Sequence, residues 1–285
     1  MTLLPDAVSG SSTAGERVVT AQGPTEDFRI ASLTKMFTSA ALVLTLRELG
    51  IPLHTPVADL LPGSPATPAL TVERTLAQVS GLRESVGAAA VARLELADAA
   101  RLVLEAGHDR EPGTRWSYYN GNYFLAGAIL ATLTGLPYEE ALRRRVLDPW
   151  GLTRTGWDGP APSAYPRARR PSGGLWSCVP DLLTFAEHLL ADKALLDETR
   201  TPRTRPDDPM TYALGWAIGP SGQMYLNGRL PGYRAVMLLV PDRDYASVVL
   251  TNRQDALPEV ARTLSDMQFP LTGDDLTAAI DGFAA

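Results

Sequence analysis

The sequence has 285 residues, of which 45% are apolar and 20% charged, and its formal net charge is −6 at pH 7. The excess of acidic residues argues against a nucleic-acid or anionic-membrane partner, because either needs a concentrated basic surface. No apolar run approaches the roughly 20 residues that span a bilayer, and the length favours one domain of two lobes or two tightly joined domains.

The cysteine content and the first residues bear on the compartment. Cys178 is the only cysteine, so no disulfide forms within the monomer. The opening residues 1–15, MTLLPDAVSGSSTAG, lack the basic start and long apolar stretch of a signal peptide. We therefore expect a cytoplasmic protein.

The first predicted elements are a strand over Arg17–Gln22 and a helix that Ser32 opens and Gly50 ends. The helical segment 31–44, ASLTKMFTSAALVL, is apolar or small from its sixth residue onward, which predicts burial. Lys35 lies one turn into this helix, although lysine is rarely buried without a partner or a function.

The middle of the chain, from residue 54 to 200, reads as mainly helical with Pro and Gly at the breaks. Apolar spacing predicts helices over Ala89–Glu105, Tyr123–Thr134, Tyr138–Leu147 and Pro180–Leu190, and composition predicts a loop over 158–174.

After Pro209 the apolar pattern becomes that of strands. The predicted strands are Thr211–Ile218, Gln223–Leu226, Tyr233–Val240 and Tyr245–Thr251, followed by helices over Leu257–Asp266 and Asp274–Phe283. Strands at both ends with helices between them predict an α+β fold, an antiparallel β-sheet flanked by helices with an inserted all-helical lobe. Residues 1–53 and 205–285 are expected to form the sheet lobe and residues 54–204 the helical lobe, as a single catalytic domain with the active site between the lobes.

The Ser32–Lys35 pair is the first candidate for chemistry. Residues three apart share one face of a helix, and burial lowers a lysine pKa because it disfavours the charged form. A neutral lysine can take a proton from serine, which would activate a nucleophile without histidine. The alternative is that the serine is an N-cap and the lysine extends to the surface.

Two further segments carry candidate groups. Tyr118 and Asn120 lie in RWSYYNGNY, a predicted loop before a helix, where side chains can reach a cleft. A tyrosine near a cation can have its phenol pKa lowered and exchange protons. An asparagine can orient a lysine. Gly228 lies in LNGRLPGY, where close backbone approach would allow an N–H group to stabilise an oxyanion. The alternative for the first segment is aromatic packing with a turn-forming asparagine. The alternative for the second is a plain connection between strands.

Taken together, these segments resemble the serine β-lactamase and penicillin-binding-protein superfamily, in the branch with class C β-lactamases and family VIII carboxylesterases. Ser32-Leu33-Thr34-Lys35 matches Ser-x-x-Lys, Tyr118-Tyr119-Asn120 matches Tyr-x-Asn, and similar segments follow in order over residues 26 to 265. The resemblance implies that Ser32 is the acylated nucleophile, that Lys35 helps to deprotonate it, and that Tyr118 is the general base which returns the proton to the leaving group. It also implies that Asn120 holds Lys35 and the acyl carbonyl.

The resemblance further implies an oxyanion hole made by the backbone N–H groups of Ser32 and Arg229. The third motif departs from the family pattern, since Leu226-Asn227-Gly228 begins with leucine where Lys or His is usual. This change favours an uncharged substrate, and Arg229 either narrows the site or supplies a displaced cation. Gln78 and Val79 replace a His-Thr pair of the family.

Three functions follow as hypotheses. The leading one is a serine hydrolase or acyltransferase that acts on a small-molecule ester or thioester through an acyl-Ser32 intermediate. The alternatives are a β-lactamase or D-amino-acid peptidase, and a catalytically impaired binding protein of the same fold. No cofactor is expected, and no metal site, because His54, His108 and His188 lack ligand spacing; the oligomeric state is left open.

Overall fold

The computed structural model describes residues 6–22, 27–159 and 165–283, and within them it shows the expected α+β fold. The described strands are β1 (Ala7–Thr13), β2 (Glu16–Gln22), β3 (Phe28–Arg29), β4 (Trp176–Ser177), β5 (Ala217–Ile218), β6 (Met224–Leu230), β7 (Tyr233–Val240) and β8 (Tyr245–Thr251). Helices account for most of the remainder.

The main sheet has the strand order β2-β1-β8-β7-β6-β5, and the pairings are antiparallel. Strand β1, which the sequence pattern did not predict, pairs with β8 so that Ala7 lies opposite Thr251. Its residues AVSGSST are mostly small and polar and carry no strand signal of their own. The two neighbouring strands therefore determine its conformation. Strands β3 and β4 form a separate two-stranded sheet.

In the sequence, most of the helices lie between strands β3 and β5, and the last two follow strand β8. They are α1 (Thr34–Leu49), α2 (Val57–Leu60), α3 (Val72–Leu76), α4 (Leu96–Glu105), α5 (Gly121–Thr134), α6 (Tyr138–Leu142), α7 (Arg170–Gly173), α8 (Val179–Ala191), α9 (Lys193–Arg200), α10 (Leu257–Thr272) and α11 (Thr277–Gly282). A π-helical turn, Arg143–Leu147, continues α6.

The sheet is covered on both faces. Helix α8 packs against β1 and β8, and α10 packs against β7 and β8. Every residue of β8 is buried, as expected for a strand with protein on both sides. Helices α1 and α5 pack against each other, and α1 is almost wholly buried because its residues are apolar or small around the whole helix.

The sequence patterns were wrong in several segments, including the following three. Residues 89–93 form turns, and helix α4 begins only at Leu96. The predicted strand Thr211–Ile218 reduces to β5, because Gly215 bends the chain with a φ of +90°. Within the predicted loop 158–174, residues 167–173 form helical turns, while residues 160–164 lie outside the described part.

The helices in the described ranges lack the combination of length and apolar character that a membrane span requires.

Helix α8, which falls in the predicted helical lobe, packs on the sheet: a Cβ placed on Gly10 of β1 would lie 2.5 Å from Cγ1 of Val179. The division of the chain into two lobes at residues 54 and 204 stays a prediction.

Candidate active site

Ser32 lies in a short 3-10 turn, Ala31–Leu33, that leads directly into α1. The preceding residue, Ala31, has a φ of +48°, which is unusual for a residue with a side chain and marks a tight entry into the turn. Ser32 is partly exposed, whereas Lys35, one turn further on, is completely buried. The nucleophile candidate therefore faces the surface and its partner lies beneath it.

Among the residues that the structure describes, Lys35 has three hydrogen-bonding neighbours and no ion-pair partner. Its Nζ lies 2.7 Å from the carbonyl oxygen of Ser172, 2.8 Å from Oδ1 of Asn120 and 3.2 Å from Oγ of Ser32. In the part of the chain that is described, no carboxylate lies within 4.0 Å of it. Burial, assisted by the positive charge of Arg169, lowers the pKa of Lys35 well below its ordinary value. The expected direction of this shift is confirmed.

Burial favours the neutral amine, and its donors and lone pair can be matched to these neighbours. It has two N–H donors and one lone pair. The Ser172 carbonyl and Oδ1 of Asn120 only accept hydrogen bonds, and their two short contacts use both N–H groups. In the neutral form, the remaining direction, toward Ser32, is then left to the lone pair, which can accept the serine hydroxyl proton. The role of Lys35 as a base for Ser32 stays a prediction, with which this arrangement is compatible.

Tyr118 completes the hydrogen-bonded cluster. Its hydroxyl oxygen lies 2.7 Å from Oγ of Ser32, and Nζ of Lys35 lies 4.9 Å from the centre of its ring. Burial raises the pKa of Tyr118, which outweighs the hydrogen bond to Ser32. The expectation of a lowered phenol pKa is therefore wrong. A phenol that keeps its proton can donate it to a neighbouring oxygen but does not act as a phenolate base, so we expect Lys35 rather than Tyr118 to deprotonate the serine.

Gln78 holds the loop that carries Tyr118 and Asn120. Its Oε1 accepts hydrogen bonds from the backbone N–H of Tyr119 (3.0 Å) and from Nδ2 of Asn122 (2.5 Å). Its carbonyl oxygen accepts from the N–H of Ser117. Gln78 is buried and has a φ of +62°, so neighbouring structure keeps it in a conformation that glutamine rarely adopts.

The third motif lies on β6, beside the turn that carries Ser32. A Cβ on Gly228 would lie 2.3 Å from the carbonyl oxygen of Ile30, so the two backbones can approach this closely only at a glycine. The approach places Arg229 next to the Ser32 turn. The oxyanion role of the N–H groups of Ser32 and Arg229 stays a prediction.

The side chains of this motif do not act as the resemblance suggested. Leu226 is completely buried and offers no surface to a substrate. Asn227 donates to the carbonyl oxygens of Ile280 (2.5 Å) and Phe283 (3.2 Å). The guanidinium of Arg229 donates to the carbonyl oxygens of Asp281 and Phe283. These two side chains bind the last described residues of the chain.

Three contributors to the site were missed by the sequence reasoning, namely Gln78, the carbonyl of Ser172 and Phe283. Gln78 was noted only as a departure from the family pattern. Ser172 contributes through its backbone, which no residue pattern reveals. Phe283 was predicted as the end of a helix, and its contact with Tyr118, at 5.5 Å between ring centres, depends on how α11 docks.

Among the described residues, no group of three or more His, Cys, Asp and Glu side chains is arranged to hold a metal ion.

Comparison with known proteins places this geometry in context. The model of the family described as Beta-lactamase matches residues 11–267. The chain is similar to the putative penicillin-binding protein PbpX of Bacillus subtilis (strain 168), with 24% identity over 232 residues that cover 74% of this chain and 58% of the relative. It is also similar to penicillin-binding protein 4 of Amycolatopsis lactamdurans, with 31% identity over 208 residues, 61% of this chain and 53% of the relative.

The chain thus spans little more than half the length of these curated relatives. Among solved structures, it resembles a D-stereospecific amidohydrolase from Streptomyces sp., with a TM-score of 0.74 and 24% identity over 94% of each chain. At this level of identity the likeness establishes the fold.

Proposed function

Because the chain belongs to the Beta-lactamase family, we propose that it is a serine hydrolase that forms an acyl-enzyme on Ser32 from an ester or thioester. The observation that carries the proposal is the convergence of Ser32, Lys35, Tyr118 and Asn120 in one hydrogen-bonded cluster. A buried lysine whose two donors are already occupied is suited to accept the serine proton.

In the proposed acylation, Oγ of Ser32 attacks the substrate carbonyl carbon while its proton moves to Nζ of Lys35. The resulting ammonium is stabilised by Oδ1 of Asn120, the carbonyl of Ser172 and the ring face of Tyr118. As the bond from the carbonyl carbon to the leaving oxygen or sulfur breaks, Tyr118 gives its proton to the leaving group and is reprotonated at the expense of Lys35. Water or another acceptor then attacks the acyl carbon by the reverse sequence.

An ester or thioester is preferred because the third motif supplies no cation that is free to hold a substrate carboxylate. Leu226 is buried, and Arg229 is bound to backbone carbonyls. Lys35 is required by the chemistry. An uncharged acyl compound therefore fits these residues better than a carboxylate-bearing β-lactam or peptide.

Amide hydrolysis is the second candidate, on the observation that the similar Streptomyces structure is of a D-stereospecific amidohydrolase. An amide requires the same nucleophile and base. It also needs protonation of a poorer leaving group, which Tyr118 can provide from its position 2.7 Å from Ser32.

The test measures turnover and intact mass with p-nitrophenyl esters, a chromogenic cephalosporin and a D-alanine anilide. The variants are Ser32→Ala and, as a matched control, Ser221→Ala at an exposed serine. Ester turnover and an acyl adduct that disappear only in Ser32→Ala would support the proposal. Turnover of the cephalosporin or the anilide alone would favour amide chemistry. The absence of any adduct or turnover would contradict both and leave a binding protein of this fold.

A further inference from the structure

Two arginines close to the nucleophile have no acidic partner. Arg29 lies on β3, three positions before Ser32, and Arg169 ends the 3-10 turn Arg167–Arg169 that leads into α7. In the part of the chain that the structure describes, neither guanidinium forms a hydrogen bond or an ion pair, and each lies against aromatic rings instead.

The ring of Tyr165 contacts both guanidinium groups. Its centre lies 5.2 Å from Cζ of Arg169 and 5.5 Å from Cζ of Arg29. Trp176 gives Arg29 a second ring, at 4.8 Å. Such contacts stabilise a cation through the negative face of a ring, but they provide no acceptor for the N–H groups in the guanidinium plane. Both arginines therefore keep donors for an acceptor that the described residues do not supply.

The hydroxyl of Tyr165 places these two cations beside the catalytic cluster. It is hydrogen-bonded to the side chain of Ser172, whose carbonyl oxygen accepts from Lys35. A Cβ built on Gly173 would lie 2.6 Å from the Tyr165 hydroxyl oxygen and 3.6 Å from the carbonyl carbon of Ala31. The hydroxyl is therefore close to the turn that carries the nucleophile, and the arginines lie one tyrosine ring away from it.

The charges of the two arginines make this region positive. Arg29 is 8% exposed, and its Nη1 is buried without a hydrogen-bond partner, although a buried arginine is normally paired because removing a charge from water is costly. Burial lowers the pKa of Arg29, and the groups that oppose this shift are Tyr165 and Tyr233 rather than a carboxylate. The charge of Arg169 extends to Lys35, whose pKa it helps to lower. A positive region of this kind attracts anions.

Arg169 is the member of the pair that a ligand can reach. Its side chain is partly exposed, whereas Arg29 is almost entirely buried. A guanidinium can bind a carboxylate through two parallel N–H donors, and the charge of Arg29 adds to the attraction without direct contact. Arg229 of the third motif, by contrast, already donates to backbone carbonyls.

We propose that Arg169 binds a carboxylate that the ester or thioester substrate carries in addition to its reacting carbonyl group. This inference rests on the proposed acyl-Ser32 chemistry and refines it. The substrate is uncharged beside the third motif and has its negative charge beside Arg169. Tyr165 is the residue that holds both arginines next to the nucleophile.

The experiment uses pairs of esters that differ in this charge. Mono-p-nitrophenyl esters of adipic, pimelic and suberic acid have a carboxylate on the acyl chain, 4-acetoxybenzoate has it on the leaving group, and the methyl ester of each is the uncharged partner. The measured quantity is the ratio of kcat/KM for the acid to that for its methyl ester. For at least one pair this ratio should fall about tenfold or more in Arg169→Gln, the usual effect of losing a hydrogen bond to a charged group.

Two further variants and added salt show whether the effect belongs to this arginine. Arg243→Gln removes the same charge at an exposed position between β7 and β8 and should leave the ratio unchanged. Arg169→Lys keeps the charge without the paired donors and should lower the ratio less than Arg169→Gln. Salt should lower the ratio of the unmodified protein because it screens the attraction. A changed pKa of Lys35 affects both esters of a pair and cancels in the ratio.

The outcomes separate this inference from the proposed function. Intact mass reports the acyl adduct on Ser32. If the unmodified protein forms no adduct and hydrolyses none of the esters, the proposed function fails and this inference fails with it. If the unmodified protein hydrolyses the esters but Arg169→Gln keeps its ratio for every pair, the inference alone is overturned. The pair that loses its preference identifies the acyl chain or the leaving group as the carrier of the carboxylate.

Discussion

Gly228 and Ile30 are in such close contact that a Cβ on the glycine would lie 2.3 Å from the isoleucine carbonyl oxygen. Backbone atoms cannot yield as a flexible side chain can, so any larger residue at 228 must separate β6 from the turn that carries Ser32. The distance between the two predicted oxyanion donors depends on this contact. Gly228 therefore links the packing of the sheet to the geometry of the site.

The first prediction concerns this contact. Gly228→Ala should lower kcat/KM for a p-nitrophenyl ester by about 10²-fold or more, because displaced oxyanion donors lose that much, and should destabilise the fold by about 1–3 kcal/mol through overpacking. Gly87→Ala is the control, since a Cβ there meets no atom within 4 Å and its φ is not positive. Equal behaviour of the two variants would show that the close approach has no catalytic importance.

The second prediction concerns the protonation of Lys35. Since only the neutral amine can accept the serine proton, kcat/KM should rise with pH and level off above the pKa of Lys35. Burial lowers that pKa, so the rise should lie well below 10.5. With lysine labelled at Cε, carbon NMR shows only two signals, those of Lys35 and Lys193. The signal that disappears in Lys193→Arg belongs to Lys193, and the remaining signal therefore belongs to Lys35. A Lys35 signal that titrates at or above 10.5 would contradict the mechanism.

The same residue permits a direct test by mutation. Lys35→Ala should reduce acylation by about 10²–10⁴-fold, the usual contribution of a general base, whereas Lys193→Ala, at an exposed position, should not. Intact mass after a short incubation with an ester measures the acylation step by itself.

The third prediction separates two roles for Tyr118. If it protonates the leaving group, Tyr118→Phe should lower kcat/KM by about 10²–10⁴-fold for an alkyl ester and far less for a p-nitrophenyl ester, whose leaving group departs as an anion. If Tyr118 were the base for Ser32, kcat/KM would fall by the same factor for both esters. The raised pKa of Tyr118 supports the first outcome. The phenylalanine ring keeps the packing against Phe283, so the fold should be retained.

The fourth prediction concerns Gln78 as a positioning residue. Gln78→Ala leaves the N–H of Tyr119 and Nδ2 of Asn122 without their acceptor, so the free energy of unfolding should fall by about 1–3 kcal/mol. Because Tyr118 and Asn120 lie on the loop it holds, kcat should fall more than KM rises. Gln254→Ala removes the acceptor of an exposed backbone N–H and is the control, with an expected change within about 0.5 kcal/mol. A purely structural Gln78 would leave kcat of the folded protein unchanged.

Much of the fold follows from local sequence. The helix of Ser32 ends at Gly50, whose φ of +65° closes it as expected. The predicted strands over residues 233–240 and 245–251 match β7 and β8. Strand β1 was missed because its residues have no strand pattern without β2 and β8 beside them.

The sequence by itself determined that Ser32 and Lys35 share one face of a helix, and that burial shifts the lysine pKa downward, because both follow from helical spacing and neighbouring apolar residues. Only the tertiary structure decided what surrounds that pair. Tyr118 is 86 residues from Ser32 and the Ser172 carbonyl 137 residues from Lys35, and Phe283 arrives from α11. Such distant groups meet only when helices and strands pack, since no local pattern encodes which surfaces will be buried together.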